Sequence, residues 1–81
     1  MREINKQLTD RELEVLHYLT KSLTNKEMAE ILDITHHTIK AHISAILRKL
    51  DCKNRTEAAL YAIQHHMFDD LFTHRQDLKQ P

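Results

Sequence analysis

The apolar residues between Thr24 and Leu50 follow a helical period in two consecutive stretches. In the first stretch, Met28, Ala29 and Leu32 recur at the spacing of one helix face. In the second stretch, the apolar residues stand at i, i+4, i+7, i+8 and i+11, and they are Ile39, Ile43, Ile46, Leu47 and Leu50. The pattern predicts helices over about residues 25–32 and 36–50, joined by a very tight turn.

Capping signals mark where these two helices begin. Thr24 is followed three residues later by Glu27, which is the pattern of a capping box. Asp33 and Ile34 interrupt the apolar period, and the hydroxyl of Thr35 offers a second N-cap. A short helix, a minimal turn and a longer helix form the layout of a helix-turn-helix.

Two further helices flank this pair. Thr9 and Glu12 form another capping box behind Leu8, which predicts a helix over about residues 10–21. Its expected buried residues are Leu13, Val15, Leu16 and Leu19, whereas Arg11, Glu12 and Glu14 are expected to face water. Asn54, with Glu57 three residues later, predicts a fourth helix over about residues 55–66.

The composition favours an all-α fold of one domain. The 81-residue chain contains no glycine, and its only proline is Pro81, so that no breaker interrupts the predicted helices. We expect a flexible segment over about residues 1–7 and a four-helix domain over about residues 8–66. For about residues 67–81, continuation of the last helix and disorder both remain open.

The outward side of the third helix is small, polar and cationic. At 100° per residue, the side opposite the isoleucines carries His37, Lys40, Ala41, Ser44 and Arg48. The formal net charge of the chain is zero, which counts against a generic nucleic-acid protein. Six of the twelve acids lie towards the two ends, however, and several cations lie in the middle, namely Lys40, Arg48, Lys49, Lys53 and Arg55. This arrangement indicates a helix-turn-helix that binds DNA through its third helix.

Other features of the composition bear on the cellular setting. The single cysteine, Cys52, excludes an internal disulfide, fits a reducing cytosol and is expected in the core. No apolar run reaches the length of a membrane span, and no secretory leader precedes the domain. We therefore expect a cytoplasmic protein that does not bind membranes.

Several short motifs, in order and at matching spacing, resemble the LuxR/NarL-type (GerE-like) DNA-binding domain. The resemblance covers about residues 8–66 and is carried by 8–12, 15–16, 24–29, 34–35, 38–40, 42, 49–50 and 54–58. It implies a four-helix domain in which the second and third helices form the helix-turn-helix. It also implies the output half of a response regulator in a two-component system, with dimerisation through the fourth helix.

The resemblance assigns roles to individual residues. The base-reading positions are Lys40, Ala41 and Ser44. Contacts to DNA phosphates are implied for Thr24, Asn25, Lys26, Thr35, Thr38 and Lys49, and the outward side of the third helix adds His37 and Arg48. The small and apolar residues expected in the dimer contact are Ala58, Ala59, Ala62 and Ile63.

Three positions depart from the family pattern. Ser22 stands where the family generally has glycine, so that the connection before the second helix is expected to be capped differently. Ala45 replaces a common asparagine, and Cys52 a common valine. No receiver domain precedes Leu8, which leaves a free-standing regulator and an excised output domain both open.

Two other classes of function compete with DNA reading. A protein-interaction module of the same fold would keep the helices without binding DNA, and neutral charge and Ala45 favour it. The seven histidines suggest a metal site, but His36, His37 and His42 lack a histidine partner at i+3 or i+4. His66, Asp70 and His74 do fall at i, i+4 and i+8, for which exposed ion pairing is the simpler account.

We expect no enzyme, because no set of nucleophile, base and orienting group is present. The expected partners are double-stranded DNA, a second copy of the chain and RNA polymerase. No metal, other cofactor or small-molecule ligand is expected.

Overall fold

The computed structural model describes residues 7–69, which form four α-helices and no strand. The helices are α1 (Asp10–Thr20), α2 (Asn25–Leu32), α3 (His36–Leu50) and α4 (Arg55–Gln64). The predicted all-α fold of four helices is therefore confirmed. The predicted bounds of α2 and α3 agree with the structure, whereas α1 and α4 end one and two residues earlier than expected.

Each helix begins at the residue that the capping signals predict. Thr9 accepts a hydrogen bond from the N–H of Glu12 at 3.1 Å, and Glu12 accepts one from the N–H of Thr9 at 3.0 Å. The capping box of α2 has the same geometry, and Thr35 caps α3 by accepting from the N–H of Thr38 at 3.1 Å. Asn54 caps α4. These bonds satisfy part of the backbone N–H groups that a helix start leaves without partners.

The turn between α2 and α3 depends on one residue in the left-handed region. Asp33 has φ 57° and ψ 47° and ends α2, and the following N–H of Ile34 donates to the carbonyl of Ala29 at 3.1 Å. Aspartate tolerates this conformation better than most residues that carry a Cβ. Three residues therefore suffice to redirect the chain into α3.

The connection between α1 and α2 also passes through the left-handed region, at Ser22 with φ 64°. Its N–H donates to the carbonyl of Leu19 at 3.0 Å, and the N–H of Leu23 donates to that of Tyr18 at 3.3 Å. A Cβ in this region costs about 1–2 kcal/mol. Because glycine has no Cβ, it would adopt this left-handed conformation without that cost.

The core lies around α1, which packs against both α3 and α4. Its fully buried apolar residues come from all four helices and are Val15, Leu16, Met28, Ile39, Ile46 and Ala58. Leu13, expected in the buried face, is only partly buried, as are Ile43 and Leu47 on α3. The predicted isoleucine side of α3 thus faces the interior.

Glu12 differs from its predicted exposure, because only 6% of the residue is exposed. Its Oε1 atom accepts from the N–H of Thr9 and from Nζ of Lys49, which lies 2.8 Å away on α3. Burial of a carboxylate costs free energy unless a counter-charge and hydrogen bonds compensate. Lys49 is 37 residues away in the chain, which is why the local helical pattern could not anticipate this contact.

The surroundings of Glu12 shift its pKa in opposing directions. Burial raises the pKa of the carboxyl, but the hydrogen bonds from Lys49 and Thr9 and the electrostatic interactions with Lys49 and His42 lower it more. The net result is a pKa below the ordinary value of a glutamate. The ionised form is therefore favoured in the folded state, and the contact stabilises the fold when Glu12 is charged.

Two residues after the predicted end of the domain at residue 66 contact the core. The chain leaves α4 at His65, and His66 adopts φ 54°. Met67 and Phe68 then pack partly against the core, with the ring centroid of Phe68 4.9 Å from that of His17. Of the histidine–aspartate pattern, His66 pairs with Asp69 at 2.7 Å, whereas Asp70 and His74 lie outside the described residues.

Replacing the buried carboxylate tests this contact between α1 and α3. We expect Glu12→Gln to lower the free energy of unfolding at pH 7 by about 1–3 kcal/mol, because a charged hydrogen-bond partner of Lys49 is lost. In the parent chain, the contribution of Glu12 is fully present above the unfolded-state pKa of about 4.3 and is lost as the pH falls through the lower folded-state value. Urea titrations at pH 7 and in the acid range measure both effects.

The matched control is Glu14→Gln, because the Glu14 side chain is 53% exposed and pairs with Arg11 at the surface, at 3.2 Å. Its effect is expected to stay below about 0.5 kcal/mol. Equal effects of the two substitutions, or an unchanged acid response in Glu12→Gln, would contradict the role given to Glu12.

Candidate nucleic-acid interface

The outward face of α3 is open to solvent along most of the helix. Lys40, Ala41 and Ser44, the predicted base-reading residues, are all exposed, as are His37 and Arg48. Ile39 and Ile46, on the opposite side, are fully buried. Within residues 7–69, the side chains of Lys40 and Ser44 have no hydrogen-bond partner in the protein. Their donor groups are thus available to an external ligand.

The start of α3 is suited to an anion. The first turn contains no acidic residue, and the last turn carries Arg48 and Lys49. Thr35 and Thr38, predicted phosphate contacts, share a hydrogen bond between their hydroxyl oxygens at 3.0 Å. One of the two hydroxyl protons is used in that bond, and the other can be donated to a phosphate. The helix dipole adds partial positive charge at the same place.

The start of α2 presents a second group of predicted phosphate contacts. Thr24 and Glu27 satisfy each other's backbone N–H in the capping box. Lys26 is exposed, and Asn25 is partly buried with its Oδ1 atom accepting from Arg55 at 2.6 Å. Arg55 on α4 has no role in the sequence prediction, because its partner is 30 residues away. The start of α2 is therefore held by α4.

Lys49 occupies a different environment from the other predicted phosphate contacts. Its Nζ atom is paired with the buried carboxylate of Glu12, and 29% of its side chain is exposed. A lysine whose ammonium already has a buried counter-charge would have to break that contact to reach a phosphate. Lys49 thus lies in the contact between α1 and α3, whereas Lys26 and Arg48 are exposed.

The predicted dimer residues divide between two faces of α4. Ala58 and Ala62 are buried in the core of their own chain, with 0% and 1% exposure, which corrects their assignment to a dimer contact. Ala59 is partly buried, and Ile63 is 49% exposed. Leu60, which the prediction omitted, is 51% exposed. Small residues allow α4 to approach α1 closely, and the i, i+3 spacing of Leu60 and Ile63 could have identified the outward face.

The remaining positions singled out from the sequence lie away from this face or beneath it. Ala45 and His42 are partly buried. Cys52 packs partly against the core, as expected, and burial together with the negative charges of Glu57 and Asp51 raises the pKa of its thiol. Over residues 7–69, no cluster of three or more histidine, cysteine or acidic residues could hold a metal ion. No helix in that range is long and apolar enough to cross a membrane.

Comparison with known proteins agrees with this architecture. Residues 6–62 match the family model of bacterial regulatory proteins of the luxR family. Similar curated proteins include the response regulator protein VraR of Staphylococcus aureus (strain Mu3 / ATCC 700698) and that of Staphylococcus epidermidis (strain ATCC 35984 / DSM 28319 / BCRC 17069 / CCUG 31568 / BM 3577 / RP62A). Each is 43% identical to this chain over 65 residues, which are 80% of this chain and 31% of the relative.

The chain thus spans about a third of the length of these curated relatives. The family match, in contrast, extends over well more than half of the chain and includes all of α1, α2 and α3. The chain therefore belongs to the luxR family of bacterial regulatory proteins, as a DNA-binding domain of transcription regulators and not as an enzyme.

Proposed function

We propose that the chain binds double-stranded DNA in a sequence-specific manner, with α3 in the major groove. The observation that carries this proposal is the exposed face of α3, on which Lys40, Ala41 and Ser44 are free of partners within the described residues. The isoleucine side of the same helix is buried, which fixes the direction in which this face points. In a helix-turn-helix, the second helix of the motif enters the major groove.

The side chains on this face match the chemistry of base edges. Lys40 can donate to O6 and N7 of guanine, Ala41 can contact the methyl group of thymine, and Ser44 can donate or accept. Around them, Lys26 and Arg48 supply exposed cations for phosphates. Sequence reading by the three residues and positioning by the cations are thus separate contributions.

We further propose that the chain acts as a dimer through α4. Leu60 and Ile63 are two of the three large apolar residues that are strongly exposed in residues 7–69. They lie three residues apart on one helix face, next to partly buried Ala59. Burying such side chains against a second copy is favourable. The half-sites would then lie about 10 bp apart from centre to centre.

The wider role rests on the relatives, which are named response regulators. We propose that the chain serves as the output part of such a regulator in a two-component system, with RNA polymerase as a further partner. Because the chain spans only 31% of their length, this role concerns more than the domain described above.

Replacing Lys40 distinguishes contacts to DNA bases from contacts to DNA phosphates. Lys40→Ala should cost about 1–3 kcal/mol on the preferred duplex and much less on random duplexes, since a base contact is lost. Lys26→Ala should weaken both by similar factors and lower the slope of log affinity against log salt by about one. Fluorescence anisotropy over a salt series measures both quantities.

Lys53→Ala is the matched control, because it removes the same charge from an exposed residue in the loop after α3. Equal losses on preferred and random DNA for Lys40→Ala would contradict the assignment of the reading face. If the parent chain shows no salt-dependent binding to duplex DNA, the alternative of a protein-interaction module is favoured instead.

Introducing a charge on α4 tests the dimer. Ile63→Glu should weaken binding to a duplex with two half-sites by at least about tenfold, since a carboxylate in an apolar contact is costly. Affinity for a single half-site should stay within about twofold of the parent, as α3 is untouched. The control is Gln64→Glu, which adds the same charge to the neighbouring exposed position. Parental affinity of Ile63→Glu for the two-site duplex would exclude α4 as the interface.

A further inference from the structure

Arg55 makes two contacts that join α4 to the start of α2. Its Nη1 atom donates to Oδ1 of Asn25 at 2.6 Å, and its Nη2 atom donates to the carbonyl of Leu23 at 2.7 Å. These partners are 30 and 32 residues away in the chain. Arg55 is the first residue of α4, where a positive charge opposes the helix dipole. Local helix preference therefore does not explain the arginine, whereas the two tertiary hydrogen bonds do.

The contact with Arg55 fixes the orientation of the Asn25 amide. Arginine has only donors, so the group that faces it must be the amide oxygen and not the NH2 group. The two N–H donors of the amide then point away from Arg55. Without this contact, rotation of the amide by 180° would exchange oxygen and nitrogen at little cost. A phosphate accepts hydrogen bonds but donates none, so only one of the two orientations suits it.

The start of α2 also carries one acceptor, the Glu27 carboxylate, whose Oε1 atom is occupied by the N–H of Thr24, and several further donors. Thr24 and Glu27 satisfy two of the first backbone N–H groups. The N–H groups of Asn25 and Lys26 have no acceptor within residues 7–69. Lys26 adds an exposed ammonium. The first helix of a helix-turn-helix crosses the DNA backbone, which brings a phosphate towards such a group of donors.

We propose that Arg55 is a positioning residue for DNA binding, which holds the Asn25 amide with its NH2 group towards a phosphate. The proposal rests on the proposed function, because it needs DNA beside the start of α2. Arg55 itself does not contact the DNA. It acts by orienting Asn25. In this way α4 supports the contact that α2 makes with the DNA backbone.

Two simpler roles of Arg55 lead to different results. If Arg55 only stabilises the connection between α1 and α2, its replacement would lower the free energy of unfolding but leave the affinity of the folded protein for DNA unchanged. As a direct phosphate contact, it would contribute to affinity independently of Asn25. Variants of both residues in the full 81-residue chain distinguish these roles from positioning.

The first test is a double-mutant cycle on duplex affinity, measured by fluorescence anisotropy well below the melting temperature of every variant. Asn25→Ala and Arg55→Ala should each lower the affinity about ten- to a hundredfold, the loss expected for one hydrogen bond to a charged group. In the Asn25→Ala background, Arg55→Ala should have an effect of less than about twofold. Independent losses that multiply, or an unchanged affinity in Arg55→Ala, would overturn the proposal.

The second test is Asn25→Asp, which keeps the fold by offering Arg55 a carboxylate. Its melting temperature should therefore match or exceed that of the parent. Its affinity for duplex DNA should fall more than tenfold, because the side chain at position 25 then places a carboxylate beside the phosphate and no longer donates to it. Gln64→Glu carries the same change of charge at an exposed position at the far end of α4 and should cost less than about threefold. Equal losses in the two acidic variants would overturn the positioning role.

Measurements on the parent chain distinguish a failure of the proposed DNA binding from a failure of the positioning role of Arg55. Salt-dependent binding of the parent to duplex DNA supports the proposed function, whatever the variants do. If the parent binds duplex DNA but the variants give the contradicting results named above, only the positioning role of Arg55 is overturned. If the parent does not bind duplex DNA at all, both the function and the positioning role are overturned.

Discussion

The packing of α3 against α1 is the contact on which the rest of the structure depends. Ile39 and Ile46 are fully buried with Val15 and Leu16, so α3 cannot rotate about its axis without exposing large apolar side chains. Exposure of one such side chain costs about 1.5–3 kcal/mol. This cost fixes which side of α3 faces solvent. The tight turn at Asp33 then fixes where α2 lies relative to that exposed side.

Cations divide into those with internal partners and those without. Lys49 pairs with buried Glu12, and Arg55 holds Asn25 and the Leu23 carbonyl. Lys40, Lys26 and Arg48 remain exposed around the helix-turn-helix. A formal net charge of zero is therefore compatible with a cationic outward face of α3, because α3 itself contains no acidic residue. The pairing of Glu12 with Lys49 also makes the contact between α1 and α3 sensitive to acid, because it holds the pKa of Glu12 below its ordinary value.

Local signals in the sequence predict the helices well, and long-range contacts limit the prediction of the site. The caps at Thr9, Thr24 and Thr35 depend on residues three positions away, and all three are present. The burial of Glu12 depends on Lys49, which is 37 residues away, and no helical period reveals it. Ala58 and Ala62 look like a contact surface in sequence, yet the close approach of α4 to α1 buries them. Leu60 and Ile63 consequently become the exposed face.

Whether the outward face of α3 reads bases is tested most directly by changing a base preference through one residue of that face. Binding-site selection from random duplexes can be carried out in parallel on the parent chain and on Ser44→Asn. Asparagine forms paired hydrogen bonds with N6 and N7 of adenine. We expect one enriched motif for the parent and a shift towards adenine at a single base pair for the variant. An identical motif in both selections, or no enrichment for the parent, would contradict base reading by this face.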